Sequence, residues 1–223
     1  MNMRAASEPD SAGFVLAGGQ SSRMGRDKAL LEFAGRPLVA RALAILHEAG
    51  LPAKIAGAVP SARASLEAFA PVVEDATPGL GPLSGICAAL SATSARHAVF
   101  LPVDLPLLPP SLLVFLLRHA QMTGAAVTIS SLSGFMQTFP AVIDRAALPA
   151  LLNALDSGRY GCFSAFKVAA AALGQPLAGV AVELLAQSGQ VTDPRGLPPI
   201  RWFLNLNGPD DLVCADALQS VRD

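Results

Sequence analysis

"FVLAGGQSSRMGRDKALL" (residues 14–31) passes from oily to glycine-rich to basic, and that order decides the reading of the chain. Phe14, Val15, Leu16 and Ala17 make an apolar run with glycine on either side, the pattern of a strand buried on both faces. Gly18 and Gly19 then permit a sharp turn and let a ligand approach the main-chain N–H groups with no Cβ in the way. Arg23, Arg26 and Lys28 follow, against Asp27 alone. This local cationic excess suits phosphate, Arg through its planar fork and Lys as a mobile point charge. The spacing is neither the G-x-x-x-x-G-K-[ST] of Walker loops nor the G-x-G-x-x-G of dinucleotide folds. Residue chemistry alone leaves two readings, a phosphate cradle and a solvated surface loop.

The rest of the chain is electrically balanced, with 16 basic and 17 acidic residues and a formal net charge of −1. No global field draws it to nucleic acid or to an anionic membrane, so any anion must be held locally. A length of 223 residues suits one sizeable core. The composition is 52% hydrophobic but only 5% aromatic, and the excess of Ala, Leu and Val suits layers of helices and buried strands. Cys87, Cys162 and Cys214 are scattered and lack a C-x-x-C pair, which argues against both a disulfide framework and a zinc site. The opening "MNMRAASEPDSAG" holds no apolar stretch of signal or membrane length. The expectation is a cytoplasmic protein with a flexible tail over 1–12 and a single domain over 13–223.

Strands and helices alternate after the glycine loop. Strands are expected at "AKIAGAV" (53–59), "PVVED" (71–75) and "HAVFLPVD" (97–104), and helices at 38–50, 79–95 and 111–121. Such alternation implies parallel crossovers, hence an α/β, three-layer, mostly parallel sheet with helices on both faces. From about residue 125 antiparallel or edge strands are expected at "AAVTISSL" and "QTFPAVID", then a helix over 145–158. Residues 159–199 are the least legible, and "IRWFLNLN" (200–207) reads as a strand before a closing helix over 208–221.

Asp104 ends an apolar strand, where parallel sheets present ligand-binding groups, and is either a magnesium ligand or a turn cap before Pro106. Asp75 is a weaker candidate of the same kind. On a strand Asn205 and Asn207 project to one face, able to bind phosphate or carboxylate, although Asn207 equally suits a helix cap. His47, His97 and His119 have no partners at ligand spacing and read as structural.

Four ordered motifs, "VLAGGQSSRMGRDKALL", "VVEDATPGLGPLSG", "FLPVDLPLLPP" and "FLNLNGPDDL", resemble those of the molybdenum cofactor guanylyltransferases, nucleotidyltransferases with a Rossmann-like fold. The resemblance implies transfer of GMP from GTP to molybdopterin with Mg2+ and release of pyrophosphate. It implies backbone contacts to the nucleotide from Leu16, Ala17 and Gly18, with Gly19 and Arg23 framing its phosphates. Lys28 would stabilise the phosphates, Asp75 would help bind the nucleotide, Asp104 would hold the metal, and Asn205 and Asn207 would lie near the acceptor phosphate. Molybdoenzymes or cofactor-delivery proteins follow as further partners. The chain departs from the pattern at Gly57, where the family often has Asn, and at Gln137, near an expected His. It departs again at Arg159–Tyr160, where more arginines are expected, and over 160–199, which is longer. A cytidylyltransferase, a transferase for another phosphorylated acceptor, and a non-catalytic nucleotide-binding homologue remain alternatives.

Overall fold

The sheet is organised around β1 (Ser11–Leu16), which runs parallel to β4 (Ala53–Ala56) on one side and to β6 (His97–Pro102) on the other. The structure, a computed structural model, describes residues 10–18, 27–58, 60–75 and 79–206. Ser11 and Ala12, assigned to the tail by their polarity and small size, instead pair with His97 and Ala98. β5 (Val72–Val73) extends the sheet beyond β4, and β8 (Phe135–Asp144), β7 (Val127–Leu132) and β9 (Leu177–Ala181) extend it beyond β6. The seven strands lie in the order β5-β4-β1-β6-β8-β7-β9. β8 alone runs against its neighbours, pairing antiparallel with both β6 and β7. A small hairpin, β2 (Glu32–Phe33) with β3 (Arg36–Pro37), turns through Ala34 and Gly35, both at positive φ.

Alternation along the strands makes the layers. Phe14, Leu16, Ala98 and Phe100 face one way, onto α3 (Pro82–Ser91), α5 (Leu148–Asp156) and α6 (Cys162–Ala172). Val15, Val99 and Leu101 face the other way, onto α1 (Leu38–Glu48) and α4 (Pro110–Thr123). This is the expected three-layer α/β arrangement. α4 begins with Pro110 in its first turn and ends at Gly124 in the left-handed region, the asymmetry its sequence predicts. α2 (Arg63–Glu67) fills the short connection into β5.

The illegible stretch 159–199 holds α6, β9 and α7 (Val182–Gln187). The alanine run of α6 hides its amphipathicity, because Ala165, Ala169 and Ala170 are buried while the residues around them are scarcely more polar. The expected strand at 200–207 is absent over its described part. Pro199 opens a helical turn, α8 (Pro199–Trp202), and the indole Nε1–H of buried Trp202 donates to the Leu197 carbonyl at 2.8 Å. Residues 203–206 belong to no strand; the helix expected over 208–221 lies outside the described residues.

Three main chains touch where β1, β4 and α3 meet. A Cβ on Gly18 would run into the Gly57 carbonyl, and one on Gly85 would lie 2.8 Å from Gly57 Cα and 2.9 Å from its N. In an exposed helix Gly→Ala stabilises by about 1 kcal/mol. At Gly85 the sign reverses, because the obstacle is backbone that cannot rotate away. Gly85→Ala is expected to destabilise by about 1–3 kcal/mol, read as a lower midpoint in urea unfolding, with an unchanged or higher midpoint contradicting the contact.

Candidate functional site

β1 and β6 are adjacent, but their onward connections leave in opposite directions across the sheet, so a crevice opens past their C-terminal ends. A cleft of about 450 Å³ lies there, lined by Leu16, Gly18, Pro102, Asp104, Gln137 and Asn205 among others. Ala17 N–H donates to the Ala56 carbonyl at 3.0 Å and Val103 N–H to the Leu16 carbonyl at 3.2 Å, so the sheet continues slightly past both strands. The N–H of Ala17 is thereby committed to the protein. Gly18 is the first residue beyond the sheet whose N–H has no partner among the described residues, and its missing Cβ is what allows it against Gly57.

Lys28 approaches from the other end of the glycine loop. Asp27 caps a single 3-10 turn over Lys28–Leu30, its Oδ1 accepting from Ala29 N–H at 2.9 Å, and Ala29 is fully buried. The Lys28 stem is thus anchored by its two neighbours. Its ammonium donates to Asp104 Oδ2 at 3.0 Å, the side chains being 18% and 25% exposed. A pair this sheltered is screened less than a surface ion pair.

Asp104 lies just beyond β6, and its carbonyl accepts from Leu206 N–H at 3.1 Å. That one bond brings the segment after α8 to the cleft and sets Asn205 on its lining. The alternation argument for Asn205 and Asn207 falls with the strand; Asn205 reaches the cleft from irregular chain, and Asn207 lies outside the described residues, as do Gly19 and Arg23.

Asp75 stands past the end of β5, its carboxylate accepting from Gly57 N–H. Burial raises its pKa above the usual carboxylate range, only partly offset by that bond, and Oδ1 is buried without a hydrogen-bond partner. Gly57 therefore links Asp75 to Gly18. Its φ of 73° is tolerated by Asn as well as Gly, and a Cβ there would find ordinary contacts at 3.5 Å or more. The departure at this position removes a side-chain amide and leaves the fold intact.

Met136, Thr138, Phe139 and Phe203 also line the cleft and escaped the sequence reading, since they carry no charge, and Phe203 alone of them falls in a motif, as its uncharged first residue. Gln137 does lie in the cleft. Tyr160, in the turn between α5 and α6, is 45% exposed and not part of its lining. Cys87 and Cys162 are free and buried, and burial pushes their thiols to about 11 and about 12, so neither is a nucleophile at neutral pH. Buried His97 has a lowered pKa from desolvation and takes no part in the cleft. Among the described residues no group of three or more His, Cys, Asp or Glu side chains forms a metal cage, and no helix is long and apolar enough to cross a membrane.

The family model for the MobA-like NTP transferase domain matches residues 13–172. A molybdenum cofactor guanylyltransferase of Rhizobium meliloti is 33% identical over 215 residues, 91% of this chain and 89% of the relative. One from Xanthomonas euvesicatoria is 44% identical over 110 residues, covering 49% of this chain and 54% of that protein. Among solved structures, molybdopterin-guanine dinucleotide biosynthesis protein A of Archaeoglobus fulgidus superposes with a TM-score of 0.74 at 21% identity, covering 93% of this chain and 97% of that one. The 2-C-methyl-D-erythritol 4-phosphate cytidylyltransferase of Thermus thermophilus superposes at 0.62 and 19% identity, over 92% and 96%. At those identities the two structures speak for the fold, and the sequence matches speak for the family. The chain belongs to the molybdenum cofactor guanylyltransferase family of MobA-like NTP transferases.

Proposed function

We propose that the protein transfers GMP from GTP to molybdopterin, releasing pyrophosphate. The observation that carries this reading is the Lys28–Asp104 pair at the crevice between β1 and β6. A cation paired with a carboxylate at the cleft supports roles for Lys28 toward phosphate and for Asp104 toward a metal. The relative from Rhizobium meliloti, whose name states this activity, supports the choice of base and acceptor.

The donor's phosphates lie over Gly18, whose N–H has no partner among the described residues, and the resemblance assigns Gly19 and Arg23 to the same phosphates. An acceptor phosphate oxygen attacks the α-phosphorus of GTP, and the bond from that phosphorus to the bridging oxygen breaks as pyrophosphate leaves. Lys28 offsets the charge that gathers on the five-coordinate phosphorus and on the leaving group. No protein nucleophile is needed, which agrees with the inert, buried thiols. Leu16 and Ala17 define the floor beneath the nucleotide, and Asp75, beside Gly57, receives its donor groups. Asn205 holds the acceptor phosphate, with Asn207 following it in the chain.

A magnesium ion fits this donor set. Magnesium binds through one or two carboxylates and completes its shell with substrate phosphates and water, and a single partly exposed carboxylate, Asp104, is what the cleft offers. When bound, the ion would polarise the phosphoryl oxygens and neutralise developing charge. Asp104 would hold it, and Lys28 would face the phosphates.

Pyrophosphate release with molybdopterin and each of the four NTPs tests the assignment. GTP is expected to be used well above the others, and a preference for CTP would overturn the guanine reading. Lys28→Ala and Asp104→Ala are each expected to lower turnover by about 10²-fold or more with an unchanged circular dichroism spectrum; near-wild-type turnover in either removes its role.

Asp75 gives a second, activity-independent test. Because its pKa is raised on folding, the folded state binds the proton more tightly, and stability falls as pH rises from the unfolded value of 3.8 through the raised one. Asp75→Asn retains an acceptor for Gly57 N–H without the buried charge. It is expected to melt higher than wild type near pH 7 and to lose that advantage below about pH 4, while binding GTP more weakly. A variant no more stable than wild type at neutral pH contradicts the desolvated carboxylate.

A further inference from the structure

β8 is longer than its pairing with β6. Its register with β6 runs from Ala141 to Asp144, whereas its pairing with β7 resumes beyond a register shift between Ile129 and Ser130 and continues from Gln137 to Phe135. Residues 135–138 therefore run past Pro102, the last residue of β6, and along the β6 side residues 135–140 have no strand partner among the described residues. Met136, Gln137, Thr138 and Phe139 of this overhang line the cleft together with Asp104 and Gly18.

The overhang is held in place from behind. Glu183, at the start of α7, accepts from Ser133 N–H at the tip of the β7–β8 turn at 2.5 Å. Gly179 of β9 leaves the space that the Met136 thioether occupies; a Cβ there would collide with its Sδ and Cε. The wall so fixed offers a thioether, a carboxamide, a hydroxyl and a phenyl ring, and no charged side chain. Charge in the described lining is confined to Asp104, with Lys28 paired to it.

A neutral wall of this kind suits a flat, uncharged heterocycle and gives nothing to a second phosphate. Gln137 Nε2 donates to the Phe135 carbonyl at 3.2 Å, which fixes the amide plane and leaves Oε1 and one N–H for a ligand. An adjacent donor and acceptor match the amide-like edge of an amino-oxo pyrimidine ring, the same logic by which Gln pairs bidentately with adenine. We propose that the β8 overhang is the ring site of the acceptor, with Gln137 as the residue that reads the pterin edge and Met136 as its apolar support. The inference rests on molybdopterin being the acceptor and adds which element selects it.

Two measurements test it. In steady-state transfer, Gln137→Ala is expected to raise KM for molybdopterin about tenfold, with kcat and KM for GTP within twofold of wild type. In direct binding followed by pterin fluorescence, wild type is expected to bind free pterin and Gln137→Ala to bind it about tenfold more weakly, with Gln137→Asn intermediate. Loss of kcat with unchanged KM for molybdopterin, or equal pterin binding by wild type and Gln137→Ala, overturns the ring site. If pterin binding depends on Gln137 while no NTP supports transfer to molybdopterin, the ring site stands and the transfer reaction fails. If transfer proceeds and Gln137→Ala changes neither KM, the reverse holds.

Discussion

Three peptide backbones meeting without side chains between them, at Gly18, Gly57 and Gly85, set the geometry on which the cleft depends. β1 can deliver its turn against the end of β4 only because Gly18 has no Cβ, and α3 can pack over that junction only because Gly85 has none. The contact also gives Asp75 its partner, through Gly57 N–H. A close-packed interior has no slack to absorb an extra methyl where all the neighbours are main chain. The Asp75 carboxylate and the end of β1 at Gly18 are therefore held at a fixed separation before any ligand arrives.

The ion pair of Lys28 with Asp104 depends on this arrangement at one remove. Each partner is anchored by something other than the pair itself. Lys28 rides on a 3-10 turn capped by Asp27 and pinned by buried Ala29, and Asp104 is tied through its carbonyl to Leu206. Long flexible side chains lose entropy when they are fixed, and here much of that cost is met by the surrounding chain.

The parallel half of the sheet was legible because its signals are local. Apolar runs bounded by glycine and proline gave β1, β4 and β6, and capping residues gave α1 and α4. Asp104 was legible as a charge standing at the end of a buried strand, and Lys28 as part of a local basic excess following the glycines. The cleft's other wall was not, because Met136, Thr138 and Phe139 become lining residues only through the register of β8, a long-range property. The segment around Asn205 misled in the opposite direction. Its alternation of Leu and Asn imitates a strand, but Pro199 and the buried Trp202 turn the chain helical just before it. The alanines of α6 failed for want of contrast, since small apolar residues look alike on both faces of a helix.

The reversed direction of β8 also bears on how such a protein changes over evolutionary time. β1, β4 and β6 are bound to one another through crossover helices, so a residue inserted in any of them disturbs its neighbours. The β7–β8 ribbon closes on itself through the tight turn at Ser133 and Gly134, and its tip is held by Glu183 and by Met136 against Gly179. Lengthening or shortening that tip leaves the registry of the parallel strands untouched. One side of the cleft is thus constrained by its topology, and the other is a surface whose length can change without disturbing it.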